Sequence, residues 1–190
     1  MKRNKRYTIK DREFFESEFD RLLGVLVRHT AHFDSYIGMQ LHWLADYYKF
    51  NLGDLLNPKK APMQKRLIKL KSVAKRAFQP AGKQAVAEFN EWFIQIDKVR
   101  ALRNDYVHGR WGVPGKLRGD ENAPMSEAEL ILTFVPLSWS VSQDSVSVET
   151  ELTLNEFAQQ IDDAVKLFGQ YSKLSEKYLP FMRLGTDGLN

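Results

Sequence analysis

The fold is decided by the stretch FNEWFIQIDKVRALRNDYVHG, residues 89–109, in which apolar side chains recur every three or four positions. At about 100° per residue, these side chains fall on one broad face of a helix. That face consists of Phe89, Trp92, Phe93, Ile96, Val99, Tyr106 and Val107. Gly109 follows at a position where helices commonly end. The stretch therefore predicts an amphipathic helix over about residues 84–108.

The same periodicity predicts helices in three further segments of the chain. Residues 11–50 predict either one very long helix or two helices in tandem, with a break near His29–His32. Residues 63–78 predict a basic helix, and residues 155–178 predict the last helix. Helices are therefore expected to account for most of the chain.

Two segments before the last helix alternate apolar and polar residues, which is the pattern of half-buried strands. They are ELILTFVPL (129–137) and DSVSVETELTL (144–154), and they predict a small β-hairpin or two short strands. Thr153 or Asn155 can then cap the last helix. The predicted fold class is mainly α: an up-and-down bundle of four to five helices with a small β-hairpin inserted before the last helix.

The length of 190 residues suits a single helical domain that spans residues 1–190. Residues 1–10 are expected to form a flexible basic tail, and residues 180–190 a second flexible tail. Between them, residues 109–152 are expected to form a loop followed by the β-hairpin insertion. The loop part, residues 109–125, contains four glycines and two prolines and shows no periodicity.

The composition excludes several classes of protein. A hydrophobic content of 43% is too high for a disordered chain, and the absence of cysteine excludes disulfide frameworks, thiolate metal sites and cysteine nucleophiles. No apolar run is long enough to span a bilayer, and residues 1–15 lack the apolar core of a secretory signal. The expected protein is cytoplasmic and does not associate with membranes.

The net charge of +4 hides an uneven distribution. Residues 1–119 hold 24 basic and 12 acidic side chains, whereas residues 120–190 hold 4 and 12. Between Asp54 and Glu88 there is no acid but nine bases, which we call the basic segment (residues 59–83). It consists of Lys59, Lys60, Lys65, Arg66, Lys69, Lys71, Lys75, Arg76 and Lys83. Such a segment can neutralise phosphates, or it can be a solvated helix face that keeps the protein soluble.

The end of the helix over 84–108 carries an unusual set of polar side chains. Arg103 lies near the middle of the apolar face, where a guanidinium must be paired, lie at an interface or reach out to solvent. Asn104 and His108 share a stripe, but Arg103 and His108 lie about 140° apart around the axis. An ordinary helix C-terminus, with a cation on the dipole and Gly109 in a left-handed cap, explains His108 but not Arg103.

Other candidate sites have ordinary structural explanations. His29 with His32, and His42 with Asp46, have the spacing of paired metal ligands, but no further ligand accompanies either pair. Both pairs are therefore interpreted as helix-surface or core residues, and no metal site is predicted. The alternating serines at 138–147 are interpreted as the polar face of the hairpin.

The segment RNDYVH (103–108) resembles the Arg-X4–6-His motif of the HEPN superfamily, in which a polar residue directly follows the arginine. The motif lies at the end of a helix. A long helical region precedes this helix, and a short strand region and a final helix follow it. This order of elements resembles that of bacterial HEPN-like proteins. The resemblance covers about residues 11–178 and is specific at residues 100–112. It implies an α-helical domain that forms a homodimer, with the two motif helices facing each other.

The resemblance implies a metal-independent endoribonuclease of toxin or phage-defence type that uses no cofactor. In that reading His108 acts as acid, base or positioner of the 2′-hydroxyl, Arg103 clamps the phosphate and Asn104 orients His108 or holds a phosphate oxygen. Further RNA or phosphate contacts are assigned to Arg100, Arg110, Lys65, Arg66, Lys69 and Arg76. Trp111 and Tyr106 are candidates to stack on a base, although core packing is favoured for Tyr106.

The resemblance also implies partners and an alternative function. RNA is the expected substrate, and an antitoxin or another regulatory protein is an expected partner. Arg110 occupies the position of a tyrosine that a partner nucleotidyltransferase modifies in some HEPN toxins, so that regulation is not expected here. Because many family members are not catalytic, the alternative is a HEPN-like module that binds a nucleotide, RNA or a partner protein.

Overall fold

The structure is a computed structural model that describes residues 9–57, 59–112, 116–118, 129–135 and 150–184. The elements, in chain order, are helices α1 (Ile9–Tyr48), α2 (Met63–Phe78) and α3 (Lys83–His108), strands β1 (Arg110–Trp111), β2 (Lys116–Arg118), β3 (Glu129–Val135) and β4 (Thr150–Thr153), and helix α4 (Leu154–Leu184). Short 3₁₀ turns at Gly53–Leu56 and Gln79–Ala81 flank α2. The predicted fold class, mainly α with a small antiparallel sheet before the last helix, is confirmed.

The helices follow the apolar periodicity of the sequence closely. α2 has the predicted bounds, and α3 begins one residue earlier than expected. α1 is one helix of 40 residues, so the chain does not break near His29–His32. α4 is longer than predicted, because it continues past residue 178 to Leu184 and so includes part of the segment expected to be a tail. α1 likewise includes residues 9 and 10 of the expected first tail, and the rest of the two expected tails, residues 1–8 and 185–190, lies outside the described residues.

The start of α4 shows why the chain changes there from strand to helix. The Thr153 hydroxyl accepts a hydrogen bond from the amide of Glu156 at 3.1 Å, and the Glu156 carboxylate accepts one from the amide of Thr153 at 2.8 Å. This reciprocal pair is a capping box, which satisfies two amides that have no partner within the helix. The predicted cap at Thr153 is confirmed.

β3 is the central strand of the sheet. Ile131 pairs with Lys116 on one edge and with Thr153 on the other, and Phe134 pairs with Trp111 and Thr150 in the same way. All these pairings are antiparallel. The prediction of a pair of strands is confirmed for β3 and β4. The prediction that 109–125 is only a loop is wrong, because β1 and β2 in it pair with β3. The serines at 138–147 lie outside the described residues.

The chain divides into two compact units: residues 1–27 with 101–163, and residues 28–100 with 164–190. We call them the first unit and the second unit. The core of the second unit is mostly aromatic. In it, the Phe33 and Phe168 rings stack at 4.7 Å, and the Trp92 indole donates a hydrogen bond to the carbonyl of Leu167 at 2.9 Å. Leu70 and Ile96 are fully buried in the same core.

The core of the first unit is a cluster of five aromatic rings. They belong to Phe19 of α1, Tyr106 of α3, Trp111 of β1, Phe134 of β3 and Phe157 of α4. The cluster ties the end of α3 to the sheet and to the start of α4, and thereby fixes the position of the segment 103–108. Within the described part of the chain, no helix combines the length and the apolarity that crossing a membrane requires.

Candidate active site

His108 is the last residue of α3, and the chain turns directly from it into the sheet. The amide of Gly109 donates a hydrogen bond of 2.6 Å to the carbonyl of Asp105, and Arg110 begins β1. A side chain at Gly109 would overlap the Asp105 carbonyl and the Phe134 ring. The expectation of a left-handed cap is wrong, because the described glycines with positive φ are Gly53 and Gly82. The glycine is required for space and not for its φ angle.

The backbone also lies close to β3 at Gly112, four residues after His108. The amide of Gly112 donates a hydrogen bond of 2.8 Å to the carbonyl of Thr133, and a side chain at Gly112 would overlap the Thr133 hydroxyl. Two glycines therefore allow β3 to approach the end of α3 closely. This approach holds His108 at a defined point on the surface of the first unit.

Arg103 is half-buried and has a neutral partner. Its Nη1 donates a hydrogen bond to Oδ1 of Asn104 at 3.1 Å. Its Nε is buried and has no hydrogen-bond partner in the described part of the chain. None of the described carboxylates forms an ion pair with the guanidinium. A buried donor without a partner costs about 1–3 kcal/mol, and a charged one costs more. The arrangement leaves the guanidinium charge available to an anion.

His108 is exposed, and none of the described residues forms a hydrogen bond to its imidazole. Asn104 was expected to orient His108 or to hold a phosphate oxygen. In the structure its Oδ1 accepts from Arg103, and its amide nitrogen has no acceptor among the described residues. The amide therefore orients the guanidinium and keeps its own N–H donors available for an oxygen ligand.

The two flanking arginines differ from each other. The Arg100 side chain is 17% exposed, and its Nε is paired with Oδ1 of Asp97 at 2.8 Å. Arg110 lies on β1, is exposed, and has no ion pair with any carboxylate that the structure describes. Arg103, Asn104, His108 and Arg110 all belong to the first unit, whereas Arg100 belongs to the second.

Tyr106 is a core residue, and Trp111 packs beside it in a half-buried position. The Trp111 indole donates a hydrogen bond to the Tyr106 carbonyl at 2.8 Å, and its ring contacts four other aromatic rings. The Tyr106 hydroxyl donates to Oε1 of Gln160, and burial, with a smaller effect of Asp105, raises the pKa of Tyr106 to about 12. The core role favoured for Tyr106 agrees with this packing. Trp111 is half-buried, so base stacking on it stays a prediction.

Four residues of the basic segment were predicted to contact RNA, and Arg66 differs from the other three. Its side chain is 7% exposed, its Nη2 lies 2.9 Å from Oδ2 of Asp34, and its Nε donates to the Ala61 carbonyl at 3.2 Å. This guanidinium is held inside the second unit and cannot reach a phosphate in this structure. Lys65 and Arg76 are exposed, and Lys69 is half-exposed.

The histidine pairs on α1 do not extend to metal-binding clusters. Nε2 of His42 lies 3.5 Å from Oδ2 of Asp46, and the rings of His29 and His32 lie 6.5 Å apart. Across the residues that the structure describes, no group of three or more metal-ligating side chains comes together.

Comparisons of the chain with protein-family models, with curated proteins and with solved structures find no match. The resemblance of RNDYVH to the HEPN motif is therefore carried by the residues themselves. The class of protein that the fold defines is a mainly α protein with a small antiparallel sheet, and its function is a matter for proposal.

Proposed function

We propose that the protein is a metal-independent endoribonuclease of toxin or phage-defence type, with Arg103, Asn104 and His108 as its catalytic residues. The observation that supports the proposal most is the state of Arg103: a half-buried guanidinium whose one described hydrogen-bond partner is the neutral amide of Asn104. A structural arginine in such a place would be expected to have a carboxylate partner, as Arg66 has in Asp34. An RNA phosphate would supply the missing anion.

The proposed reaction uses the RNA's own nucleophile. The 2′-hydroxyl oxygen bonds to the adjacent phosphorus while the bond from phosphorus to the 5′-oxygen breaks, which leaves a 2′,3′-cyclic phosphate and a 5′-hydroxyl. One proton leaves the 2′-oxygen and one is added to the 5′-oxygen. Histidine is the side chain that exchanges protons near neutral pH, so we assign this transfer to His108.

Arg103 would stabilise the charge that accumulates on the phosphorane, because a guanidinium binds two phosphate oxygens at once. Asn104 would hold the guanidinium from one side and offer its free N–H donors to a phosphate oxygen. Arg110, exposed at the start of β1, would add a further phosphate contact.

A second copy of the chain would complete the site. Arg103 and His108 are five residues apart on α3 and point about 140° apart around the helix axis, so one helix does not readily bring both to one phosphate. Two motif helices that face each other in a homodimer would place Arg103 of one copy with His108 of the other. We expect a cytoplasmic protein, and an antitoxin or another regulatory protein that controls it.

The test is RNA cleavage in the presence of EDTA by the wild type and by His108→Ala and Arg103→Ala. The wild type is expected to produce 2′,3′-cyclic ends, and each variant is expected to lose at least about 100-fold of the rate. His32→Ala, which removes an exposed histidine from α1, is the matched control and should cleave like the wild type. Equal cleavage by all four proteins, or none by any, would contradict the proposal.

One observation favours the alternative of a binding module without catalysis. The His108 ring has no orienting hydrogen bond from the described residues, whereas general bases are commonly held in place by such a bond. This alternative predicts salt-sensitive RNA binding without cyclic products. It also predicts that His108→Ala binds RNA nearly as well as the wild type.

A further inference from the structure

The end of α1 carries aromatic side chains that the core does not cover. Trp43 is 42% exposed, although tryptophan is usually well buried. Its ring stacks on that of Tyr47, one turn later, with centroids 5.9 Å apart and an interplanar angle of 18°. Tyr47 meets Tyr48 edge-on at 4.9 Å. These three rings, which we call the aromatic row, lead from the exposed Trp43 to Tyr48, which packs against the core of the second unit.

Cations from α2 lie against this end of α1. The Arg76 guanidinium lies 5.8 Å from the centre of the Tyr48 ring, and the Lys69 ammonium lies 4.6 Å from the centre of the Phe50 ring. Both distances are within the range of cation–π attraction. Lys65, Lys69 and Arg76 are four and seven residues apart, so they occupy one stripe of α2. The stripe of cations therefore borders the aromatic row.

Basic side chains outnumber acids in the segments that carry this surface. From residue 35 to residue 87 the acids are Asp46, 3.5 Å from His42, and Asp54, 3.1 Å from Lys60. Burial is the main factor that raises the pKa of Tyr48, so its phenol stays neutral at physiological pH. α2 contains no acid at all. The surface is consequently positive and aromatic, which suits an anionic ligand with flat rings.

We propose that this surface binds single-stranded RNA, with unpaired bases stacked on Trp43 and Tyr47 and the phosphates held by Lys69 and Arg76. The proposal rests on the proposed function in taking RNA as the ligand, but its residues lie outside the segment 103–108. Stacking platforms flanked by cations are the common means of binding single strands without sequence preference. In a duplex the base faces are stacked on each other, so double-stranded RNA would contact only the cations of this surface.

The test is fluorescence anisotropy of a labelled single-stranded RNA with full-length protein in which His108→Ala prevents cleavage. Added to this background, Trp43→Ala should weaken binding about tenfold, which corresponds to about 1.4 kcal/mol, because the variant loses the stacking of one base. Trp43→Phe should keep most of the affinity. Ile94→Ala, which removes an exposed apolar side chain from α3 of the same unit, is the matched control. An oligonucleotide of equal length without bases should bind both Trp43 variants equally.

A second measurement, quenching of tryptophan fluorescence, uses Trp43→Phe and therefore does not depend on whether Trp43→Ala folds. RNA should quench tryptophan fluorescence in the His108→Ala protein, and Trp43→Phe should remove most of that quenching. The inference is overturned if Trp43→Ala binds the single strand as its parent does, or if quenching persists in Trp43→Phe. Neither result touches the ribonuclease proposal. Conversely, if RNA binding depends on Trp43 but the wild type never produces cyclic ends, the proposed RNA-binding surface stands and the proposed ribonuclease activity is rejected.

Discussion

Arg103 and Asn104, adjacent in α3, are joined by a hydrogen bond of 3.1 Å from the guanidinium Nη1 to the amide Oδ1. The bond holds the guanidinium without neutralising it, because the amide is uncharged. A carboxylate in the same place would form an ion pair and occupy the donors that a phosphate needs. The identity of residue 104 is therefore a means of testing what the charge of Arg103 does.

Replacing Asn104 with aspartate is expected to separate stability from activity. Asn104→Asp should keep or raise the melting temperature, because it gives the half-buried guanidinium a carboxylate partner. The same change should lower the rate of RNA cleavage at least about tenfold, because the added charge repels the phosphate. Differential scanning fluorimetry and a cleavage assay in EDTA measure the two effects.

Asn104→Ala is the control, since it removes the hydrogen bond without adding a charge. Its loss of cleavage should be smaller than that of Asn104→Asp. If Asn104→Asp cleaves RNA as fast as the wild type, Arg103 does not act on the phosphate.

A side chain at Gly109 is expected to destabilise the fold. Gly109→Ala places a methyl group against the Asp105 carbonyl and the Phe134 ring, and such overpacking costs about 1–3 kcal/mol. The free energy of unfolding from urea titration measures the loss. Gly169→Ala is the matched control: its Cβ meets nothing within 4 Å in the exposed face of α4, so it should stabilise by about 0.5–1 kcal/mol. Equal effects of the two changes would disprove the close approach at Gly109.

Features that depend on local periodicity were predicted well, and features that depend on distant partners were not. The bounds of α2 follow from its own apolar spacing and its flanking prolines. β1 and β2 have two and three residues, too few to show alternation, and they exist because they pair with β3. The space requirement at Gly109 depends on Phe134, which lies 25 residues later.

In the candidate site, too, the positions set by local periodicity were predicted and the contacts with distant residues were not. The place of Arg103 on a largely buried helix face, and of His108 at the helix end, followed from the helical wheel. The sequence assigns Arg66 to the RNA contacts together with Lys65, Lys69 and Arg76, because its partner, Asp34, lies on another helix and leaves no local signal. The exposure of Trp43 has no signal in the sequence, because a tryptophan in an amphipathic helix is usually well buried, and the structure shows it 42% exposed.

The ion pair between Arg66 and Asp34 is expected to matter for folding. Asp34→Asn keeps the shape of the side chain but leaves the guanidinium, 7% exposed, without its carboxylate. Breaking one side of a buried pair costs about 3 kcal/mol or more. Urea unfolding should show this loss, and the double change Asp34→Asn with Arg66→Met should recover part of it, because no buried charge then remains.

The exposed pair of Lys60 and Asp54 is the control for this prediction. Both side chains are more than half exposed, so Asp54→Asn should cost less than about 1 kcal/mol. A similar cost for Asp34→Asn would mean that Arg66 finds water or another partner.

The last prediction concerns acid stability and Glu88. Hydrogen bonds from Gln84 and Lys177 lower the pKa of Glu88 from 4.5 to about 2. Because the folded pKa is depressed, the carboxylate contributes stability above pH 4.5, and the contribution is lost as the pH falls toward 2. Glu88→Gln should therefore lower the melting temperature at pH 6 and flatten its dependence on pH between these values. Glu91→Gln, which alters a neighbouring glutamate that accepts from Gln95, is the control. If the melting temperatures of the wild type and of Glu88→Gln depend on pH in the same way across this range, the hydrogen bonds of Glu88 do not lower its pKa.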